Sequence, residues 1–344
     1  MAHKEKIESK LTQLKAVLEG HKTMLIVMQD NPDPDSIAAA VALRKLANSM
    51  AQIQCSIAHG GTVGRGENRA LVKYLALNLR PIDQLDMKQF ELFAIVDTQP
   101  ETGNNSLPSE IEPDIVIDHH TCRQNTRRCR FTDVRNKYGA TATILYEYLA
   151  EAKIDIDVPL ATALLYAIRS DTQDLGRDST KADMDVFIKL YPLANKRMLS
   201  QIQRGNVSRD YYQMMADGLK NAHVYGNAIV TNLGAIDNPD MIAEVADMLL
   251  RDDQTNWVMV FGYFQKKMLI SLRTYEENAN AEKVIHHIVA RKGTGGGHPT
   301  YAGGQIPLKD NLQKTKNRLE KTILNRFIKE VVKSTEESGS LIQK

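Results

Sequence analysis

Acidic and imidazole side chains recur at the ends of predicted strands and helices in the first half of this 344-residue chain. The set consists of Asp33, Asp35, Asp97, Asp118, His119, His120 and Asp171. Carboxylates combined with imidazoles suit divalent ions such as Mn²⁺, and less well Mg²⁺. So many acids in one site would repel each other unless cations neutralised them. Two metals bridged by one carboxylate can activate water, so the set predicts hydrolysis of phosphate esters or anhydrides.

Each member of this set also has an ordinary structural explanation. The Asp-x-Asp of Asp33 and Asp35 in a turn is most often a helix cap, and Asp97 could be a plain turn residue. The adjacent pair His286-His287 is interpreted as a partly exposed helix face and is assigned no role. The ordered recurrence of the whole set is what favours a site over coincidence.

The elements that would position these side chains alternate between strands and helices. Apolar runs typical of buried strands occupy residues 24–28, 92–96 and 115–117, and the alternating pattern of residues 52–58 predicts a further strand. Helices are predicted at 139–152 and 160–168, and the second ends shortly before Asp171. This alternation predicts an α/β fold with a doubly wound parallel sheet, in which ligands gather at the carboxyl ends of the strands.

A second α/β unit follows a polar helical stretch at about 181–219. Its strands are predicted at 229–231, 257–264 and 268–273, and its helices at 239–250 and 282–291. A glycine-rich segment, residues 293–298, comes next, and the stretch 312–332 is amphipathic and basic. The chain is therefore expected to hold two domains.

The composition is that of an ordinary globular protein, with 42% hydrophobic and 25% charged residues. A net charge of +2 gives no broad basic field, so long duplex nucleic acid is not an expected partner. Cys55, Cys122 and Cys129 fit no zinc motif and are interpreted as reduced thiols of a cytosolic protein. Without an apolar membrane span or a secretory signal, a cytoplasmic protein with no membrane partner is expected.

In their order along the chain, these residues resemble the DHH phosphoesterase superfamily, whose members include RecJ-like nucleases. The matching motifs are Asn31-Pro32-Asp33-Pro34-Asp35, Asp97, Asp118-His119-His120, Gly139-Ala140-Thr141-Ala142 and Asp171-Thr172. Gly295-Gly296-Gly297-His298 and Ala302-Gly303-Gly304 resemble the partner DHHA1 domain. The chain is most similar to the compact two-domain members that hydrolyse oligoribonucleotides, cyclic dinucleotides or 3′-phosphoadenosine 5′-phosphate.

The resemblance also implies a domain layout. A DHH catalytic domain would occupy residues 1–190, a helical connector 191–222, and a smaller mixed-sheet DHHA1 domain 223–335, with a cleft between the two domains. Residues 336–344 are expected to form a frayed tail. Because the compact relatives often pair through the DHH half, the resemblance further implies a homodimer.

Two manganese sites are implied by the same resemblance. One metal would be held by Asp33 and Asp97. The implied ligands of the other are Asp35, Asp97, His119 and Asp171, with Asp97 bridging the two. Mg²⁺ or Co²⁺ could substitute for Mn²⁺.

Further roles carry over by resemblance to residues around the metals and in the second domain. His120 would lie near the scissile phosphate, and Asp118 would orient the imidazoles. Arg273 would clamp a phosphate with its planar guanidinium. Residues 295–297 would offer close-approach backbone donors, and His298 would contact a phosphate or a base.

The sequence departs from the family pattern at two positions. Gln29 stands where family members usually carry a histidine, four residues before Asp33. A glutamine carbonyl ligates a hard cation more weakly than imidazole suits Mn²⁺, so the first metal site is expected to be weak. Leu175 stands where an aromatic residue is expected after Asp171-Thr172, which leaves the choice of substrate open.

The sequence therefore predicts a metal-dependent phosphodiesterase that acts on short nucleotides through metal-activated water. One alternative is a nucleotide-binding sensor whose turnover is weakened by Gln29. The other is a manganese-dependent inorganic pyrophosphatase, against which the glycine-rich motif of the second domain argues. The nucleotide base, the choice between cyclic and linear substrates and the oligomeric state are not determined by the sequence.

Overall fold

The computed structural model describes residues 2–310, 312–332 and 339–342. The chain divides into two compact units, Met1–Asn206 and Val207–Lys344. This boundary falls inside the helical connector predicted for residues 191–222. Among the described residues, no helix is both long enough and apolar enough to span a membrane.

The first unit contains a six-stranded sheet in which all neighbouring strands are parallel. Its strands are β1 (Thr23–Val27), β2 (Gln54–His59), β3 (Arg80–Pro81), β4 (Leu92–Val96), β5 (Ile115–Asp118) and β6 (Phe131–Val134). Their order in the sheet is β3-β2-β1-β4-β5-β6. The chain direction across the sheet reverses between β1 and β4, which is the switch point where open α/β sheets bind ligands.

Among its described residues, the first unit contains seven α-helices. They are α1 (Ala2–Leu18), α2 (Pro34–Ala51), α3 (Gly66–Tyr74), α4 (Thr141–Glu151), α5 (Val158–Asp171), α6 (Lys181–Leu190) and α7 (Lys196–Gln203). The strand residues alternate between two apolar clusters, so Met24 and Ile26 of β1 face the large core while Leu25 and Val27 face a smaller one with Ile82. The predicted parallel α/β fold is confirmed.

The described residues of the second unit form a mixed seven-stranded sheet. Its helices are α8 (Arg209–Lys220), α9 (Met241–Leu249), α10 (Ala281–Val289) and α11 (Gln313–Val331). Its strands are β7 (His223–Tyr225), β8 (Ala228–Ala235), β9 (Trp257–Phe264), β10 (Lys267–Thr274), β11 (Thr294–Gly297), β12 (Tyr301–Pro307) and β13 (Gly339–Ser340). The sheet order is β11-β12-β10-β9-β8-β7-β13, and only the β8–β9 pair is parallel among these described strands. The predicted smaller mixed-sheet domain is confirmed.

Six strands were not indicated by the sequence: β3, β6, β7, β11, β12 and β13. Most are short, and β11 and β12 are rich in glycine, which has little intrinsic preference for strands. Of the predicted frayed tail, residues 336–338 and 343–344 lie outside the described part of the chain. Gly339 and Ser340 pair with Val224 and His223 of β7.

Candidate functional site

The start of α2 places two aspartates at the switch point. Asp33 is the N-cap of α2, and its Oδ1 accepts a hydrogen bond from the Ser36 amide at 2.9 Å. Pro34 occupies the first turn, where its fixed φ suits a helix start. The fully buried Asp35 accepts hydrogen bonds from the amides of Thr141 (2.6 Å) and Ala142 (2.8 Å), at the beginning of α4. Asp35 therefore links the amino ends of α2 and α4.

Asp97 follows β4 in a left-handed conformation, with φ of 57°. Residues other than glycine adopt this conformation infrequently, mainly in turns and at functional sites. Asp97 is 2% exposed, and its Oδ1 accepts a hydrogen bond from the Thr141 hydroxyl at 3.1 Å. The same oxygen lies 3.6 Å from His119 Nε2 and 3.9 Å from His120 Nδ1.

Asp118, the last residue of β5, is fully buried, and both of its carboxylate oxygens accept hydrogen bonds. Its Oδ1 accepts from the His119 amide (2.9 Å) and from His120 Nδ1 (2.8 Å). Its Oδ2 accepts from Gln99 Nε2 at 2.6 Å, and Gln99 in turn accepts from the Arg123 amide and the Thr126 hydroxyl. This network fixes the His120 ring and anchors the loop that follows it.

His119 is held between a backbone carbonyl and two carboxylates. Its Nδ1 donates to the Tyr138 carbonyl at 3.1 Å, because a carbonyl oxygen can only accept. Its Nε2 lies 3.2 Å from Oδ2 of Asp171, at the end of α5, and close to Asp97. A hydrogen bond at Nδ1 fixes the ring orientation and presents Nε2 as the ligand atom of the neutral tautomer.

The structure brings the predicted ligands together in two overlapping groups. Asp97, His119 and His120 form one group, and Asp35, His119 and Asp171 form the other, with the ligand atoms of each within 4.8 Å of one another. Asp33 lies at the same edge of the sheet but in neither group. Gln29, which follows β1 after Met28, is half-buried at this edge as well.

The electrostatics of this cluster reflect carboxylates crowded into a buried space. Burial, reinforced by the charge of Asp171, raises the pKa of Asp35 to about 8, and it raises that of Asp33 in the same way. Burial and the neighbouring carboxylates raise the pKa of Asp97 well above its ordinary value. Burial opposes a charge on His119, but its contact with Asp171 outweighs this and raises the pKa to about 10. Divalent cations in this cluster would relieve the repulsion that these shifts report.

Asp118 and Asp171 show the opposite response. Burial alone would raise their pKa values, but His120 beside Asp118 and His119 beside Asp171 lower them. These two carboxylates therefore ionise more readily than an isolated aspartate.

Three residues around the cluster were not singled out for a role by the sequence. Gln99 orients Asp118, Thr141 contacts Asp97, and Tyr138 supplies the carbonyl that fixes His119. Thr141 belongs to the segment 139–142 that resembles the family, so a sequence signal was present for it. Gly139 in that segment packs against Thr172, where an added Cβ would lie 2.5 Å from the threonine methyl.

In the second unit, Arg273 of β10 is held by several partners. Its guanidinium forms an ion pair with Asp247 of α9 and donates to the Ser271 hydroxyl at 2.9 Å. It also lies 5.7 Å from the centre of the Tyr301 ring. The ring of His298 stacks on that same tyrosine, with 4.6 Å between ring centres. Arg273 and His298 thus flank one aromatic side chain.

The three glycines of β11 differ in how closely neighbouring atoms approach the position that a Cβ atom would occupy. A Cβ on Gly295 would lie 3.1 Å from Ile285 of α10, and one on Gly297 would lie 2.4 Å from the Tyr301 carbonyl. Gly297 also has a φ of +155°. A Cβ on Gly296 would meet nothing within 4 Å. Packing therefore explains two of the three glycines and leaves Gly296 facing open space.

Comparison with known protein families identifies both halves of the chain. A family model described as the DHH family, N-terminal domain, matches residues 23–168. A model described as the DHHA1 domain matches residues 226–325. Each match falls within one of the two compact units.

Similar proteins include one curated relative and several solved structures. The uncharacterized protein MJ1633 of Methanocaldococcus jannaschii is 34% identical over 320 residues, which cover 88% of this chain and 65% of the relative. An exopolyphosphatase-related protein from Bacteroides fragilis is similar with a TM-score of 0.73 at 15% identity, covering 95% of this chain and 98% of that one. RecJ from Thermus thermophilus in complex with Mn²⁺ is similar with a TM-score of 0.53 at 16% identity, and the match covers 93% of this chain and 55% of the RecJ chain. At such identities these structures establish a shared fold.

Proposed function

Because this chain belongs to the DHH/DHHA1 superfamily, we propose that it is a metal-dependent phosphodiesterase that hydrolyses short nucleotides. The observation that carries the proposal is the convergence of Asp35, Asp97, His119 and Asp171 at the switch point of the parallel sheet. Linear and cyclic dinucleotides, short RNAs and 3′-phosphoadenosine 5′-phosphate are the substrates to consider. A similar fold is found in RecJ, which was solved with Mn²⁺.

The donor set fits divalent metal ions. Asp35, Asp97, His119 and Asp171 would hold one ion, and Asp97 with Asp33 would hold a second, for which Gln29 offers only a weak ligand. The raised pKa values of Asp35 and Asp97 support this assignment, because these acids would ionise readily only beside a positive charge. When bound, such ions lower the pKa of water and neutralise charge on phosphate oxygens.

The remaining groups would orient the reaction. Asp118, fixed by Gln99, keeps His120 in one ring orientation by accepting its Nδ1 proton. The other ring nitrogen of His120 is then available for the phosphate, and this side chain is 40% exposed. Tyr138 holds His119 in the tautomer that a metal ligand needs.

The second unit would recognise the nucleotide. Asp247 and Ser271 fix the orientation of the Arg273 guanidinium, and a substrate phosphate would bind this guanidinium beside Asp247. His298 and Tyr301 form a stacked pair that suits contact with a base or a phosphate. The open face at Gly296 would let a ligand approach the backbone.

The test is hydrolysis by the purified protein with Mn²⁺, with Mg²⁺ or with a chelator. The panel holds cyclic and linear dinucleotides, short RNAs, 3′-phosphoadenosine 5′-phosphate and pyrophosphate. We expect Mn²⁺-dependent cleavage of one nucleotide class, and an Asp97→Asn variant should lose about 10³-fold in rate, since several kcal/mol of charge stabilisation depends on the metals. The control is Asp155→Asn, which changes an exposed aspartate in the same unit.

Three outcomes would contradict the proposal. Turnover in the Asp97→Asn variant equal to that of Asp155→Asn would remove the metal centre from the reaction. Cleavage of pyrophosphate alone would identify an inorganic pyrophosphatase. Binding of a nucleotide in saturating Mn²⁺ without any cleavage would identify a sensor.

A further inference from the structure

A cavity of about 530 Å³ lies in the first unit, lined by the second half of α2, the beginning of β2 and the residues that begin α5. Because the strands of the sheet are parallel, the amino end of β2 lies at the opposite edge from Asp97 and Asp118. A volume of this size falls within the range of about 300–1,000 Å³ that small-molecule sites occupy. The cavity is therefore separate from the candidate metal centre.

Arg44 is a half-buried cation in the lining of this cavity. Its guanidinium makes no hydrogen bond or ion pair with the part of the chain that the structure describes. The neighbouring Lys45 differs, because its Nζ lies 2.6 Å from Asp157 Oδ2 at the start of α5. Partial burial removes water from a charged group, so an unpaired guanidinium is stabilised by any anion that reaches it.

The rest of the lining combines hydrogen-bonding groups with apolar surface. The amide side chains of Asn48 and Gln54 line the cavity and form no hydrogen bonds with described residues. Ile53, Leu75 and Leu160 contribute apolar surface. The lining is therefore mixed, with polar and apolar groups in similar proportion, and it offers both kinds of contact that a small organic ligand with one charged end requires.

We propose that this cavity is a regulatory site for a small organic phosphate. Arg44 binds the phosphate, Asn48 and Gln54 donate their amide hydrogens, and the apolar wall contacts the organic body. Binding of a phosphate in this cavity does not depend on the proposed function. Regulation rests on the proposed function only in that a metal centre must be present, whatever its substrate is.

Two helices connect the cavity with the metal centre. α2 carries Asp35 in its first turn and Arg44 nine residues later, which is about 14 Å along the helix axis. α5 begins after Asp157 beside the cavity and ends at Asp171, about 21 Å away. Each helix thus bears a candidate metal ligand at one end and cavity residues at the other, and the two helices pack against each other. A ligand that shifts either helix changes the position of Asp35 relative to Asp171.

Binding is tested first by calorimetry with AMP. The Asp97→Asn variant is used in the presence of a chelator, so that AMP cannot bind at a metal-loaded centre instead of the cavity. Ribose 5-phosphate and adenosine are titrated in parallel. We expect both phosphates to bind and adenosine, which lacks the anion, to bind much more weakly. Failure of both phosphates to bind at millimolar concentrations would overturn the proposal.

Variants then locate the bound AMP. Arg44→Gln and Asn48→Asp should each weaken AMP binding by about tenfold or more, because one loses the guanidinium and the other places a like charge beside the phosphate. The matched control is Ser49→Asp, which adds the same charge one residue further along α2, outside the cavity lining. Thermal melting checks that every variant is folded. Equal AMP affinity in Asn48→Asp and Ser49→Asp, or an unchanged affinity in Arg44→Gln, would overturn the proposal.

The regulatory claim is tested by measuring Mn²⁺ affinity of the wild-type chain with and without AMP. Coupled sites commonly change each other's affinity by about fivefold or more, and the change is reciprocal. We expect a shift of that size that disappears in Arg44→Gln. An unchanged Mn²⁺ affinity with AMP bound would show that the site is not regulatory.

Discussion

The metal centre of the first unit and the region around Arg273 in the second unit are built in opposite ways. The metal centre crowds carboxylates together and fixes them with buried hydrogen bonds, so divalent cations would relieve the repulsion between them. In the second unit Arg273 is balanced locally by Asp247, and the glycine segment leaves Gly296 facing open space. A cluster of carboxylates that binds cations suits hydrolysis of phosphate esters, whereas the locally balanced and open surface around Arg273 suits binding of the substrate.

This difference leads to different expectations for variants. Changes around the metal centre should lower the rate of the chemical step or the affinity for metal. Changes around Arg273 should alter substrate affinity and leave the chemical step nearly unaffected.

Gln99→Ala should lower kcat by about 10- to 100-fold with little change in KM, the usual scale for losing a group that orients the residues around a metal. The physical reason is that Gln99 alone donates to Asp118 Oδ2 among the described side chains, and Asp118 orients His120. Steady-state kinetics with Mn²⁺ give the result, and the exposed Gln84→Ala is the control. A variant that keeps its kcat would show that this network is structural only.

Arg273→Lys should raise KM by about tenfold with kcat nearly unchanged, because lysine keeps the charge but loses the planar fork that binds a phosphate. Arg251→Lys, at an exposed position of the same unit, should leave both parameters unaltered. The same assay compares the two variants. A fall in kcat with constant KM would instead place Arg273 in the chemical step and break the division.

Gln29→His should tighten the weaker Mn²⁺ site by about tenfold, which corresponds to about 1.4 kcal/mol for one better ligand. The change restores the residue type that the family usually has at this position. Isothermal titration of metal-free protein with Mn²⁺ measures it. If affinity and activity both stay the same, Gln29 does not contribute to the metal centre.

Gly295→Ala and Gly296→Ala form a matched pair with a smaller expected effect. The first should lower the free energy of unfolding by about 1–3 kcal/mol, because its Cβ would lie 3.1 Å from Ile285. The second should change stability by less than about 0.5 kcal/mol, because its Cβ position is open, while raising KM. Urea unfolding and kinetics test both. Equal destabilisation by the two variants would contradict the packing argument.

The parallel sheet and the convergence of its acidic residues could be predicted from sequence for a physical reason. The runs 24–28, 92–96 and 115–117 are short and almost wholly apolar, as strands buried on both faces must be. Because neighbouring strands are parallel, the residues that follow them must meet at one edge. Asp97 directly follows one strand and Asp118 ends the next, so their positions in the sequence were enough to predict that both lie at this edge.

The residues that orient the site could not be found in this way. Gln99 and Thr141 act through contacts between elements distant in sequence, and neither lies in a periodic pattern. Tyr138 contributes its backbone carbonyl, which carries no sequence signature at all. The glycine strand β11 also escaped prediction, since its pairing with β12 depends on the absence of side chains rather than on strand propensity.

The most direct test of the account is a titration of the metal-free protein with Mn²⁺, because it requires no knowledge of the substrate. We predict two sites of unequal affinity per chain, a rise in melting temperature on binding, and a marked loss of binding at both sites in Asp97→Asn but not in Asp155→Asn. An absence of saturable Mn²⁺ binding, or binding that Asp97→Asn leaves unchanged, would contradict a metal centre at this edge of the sheet.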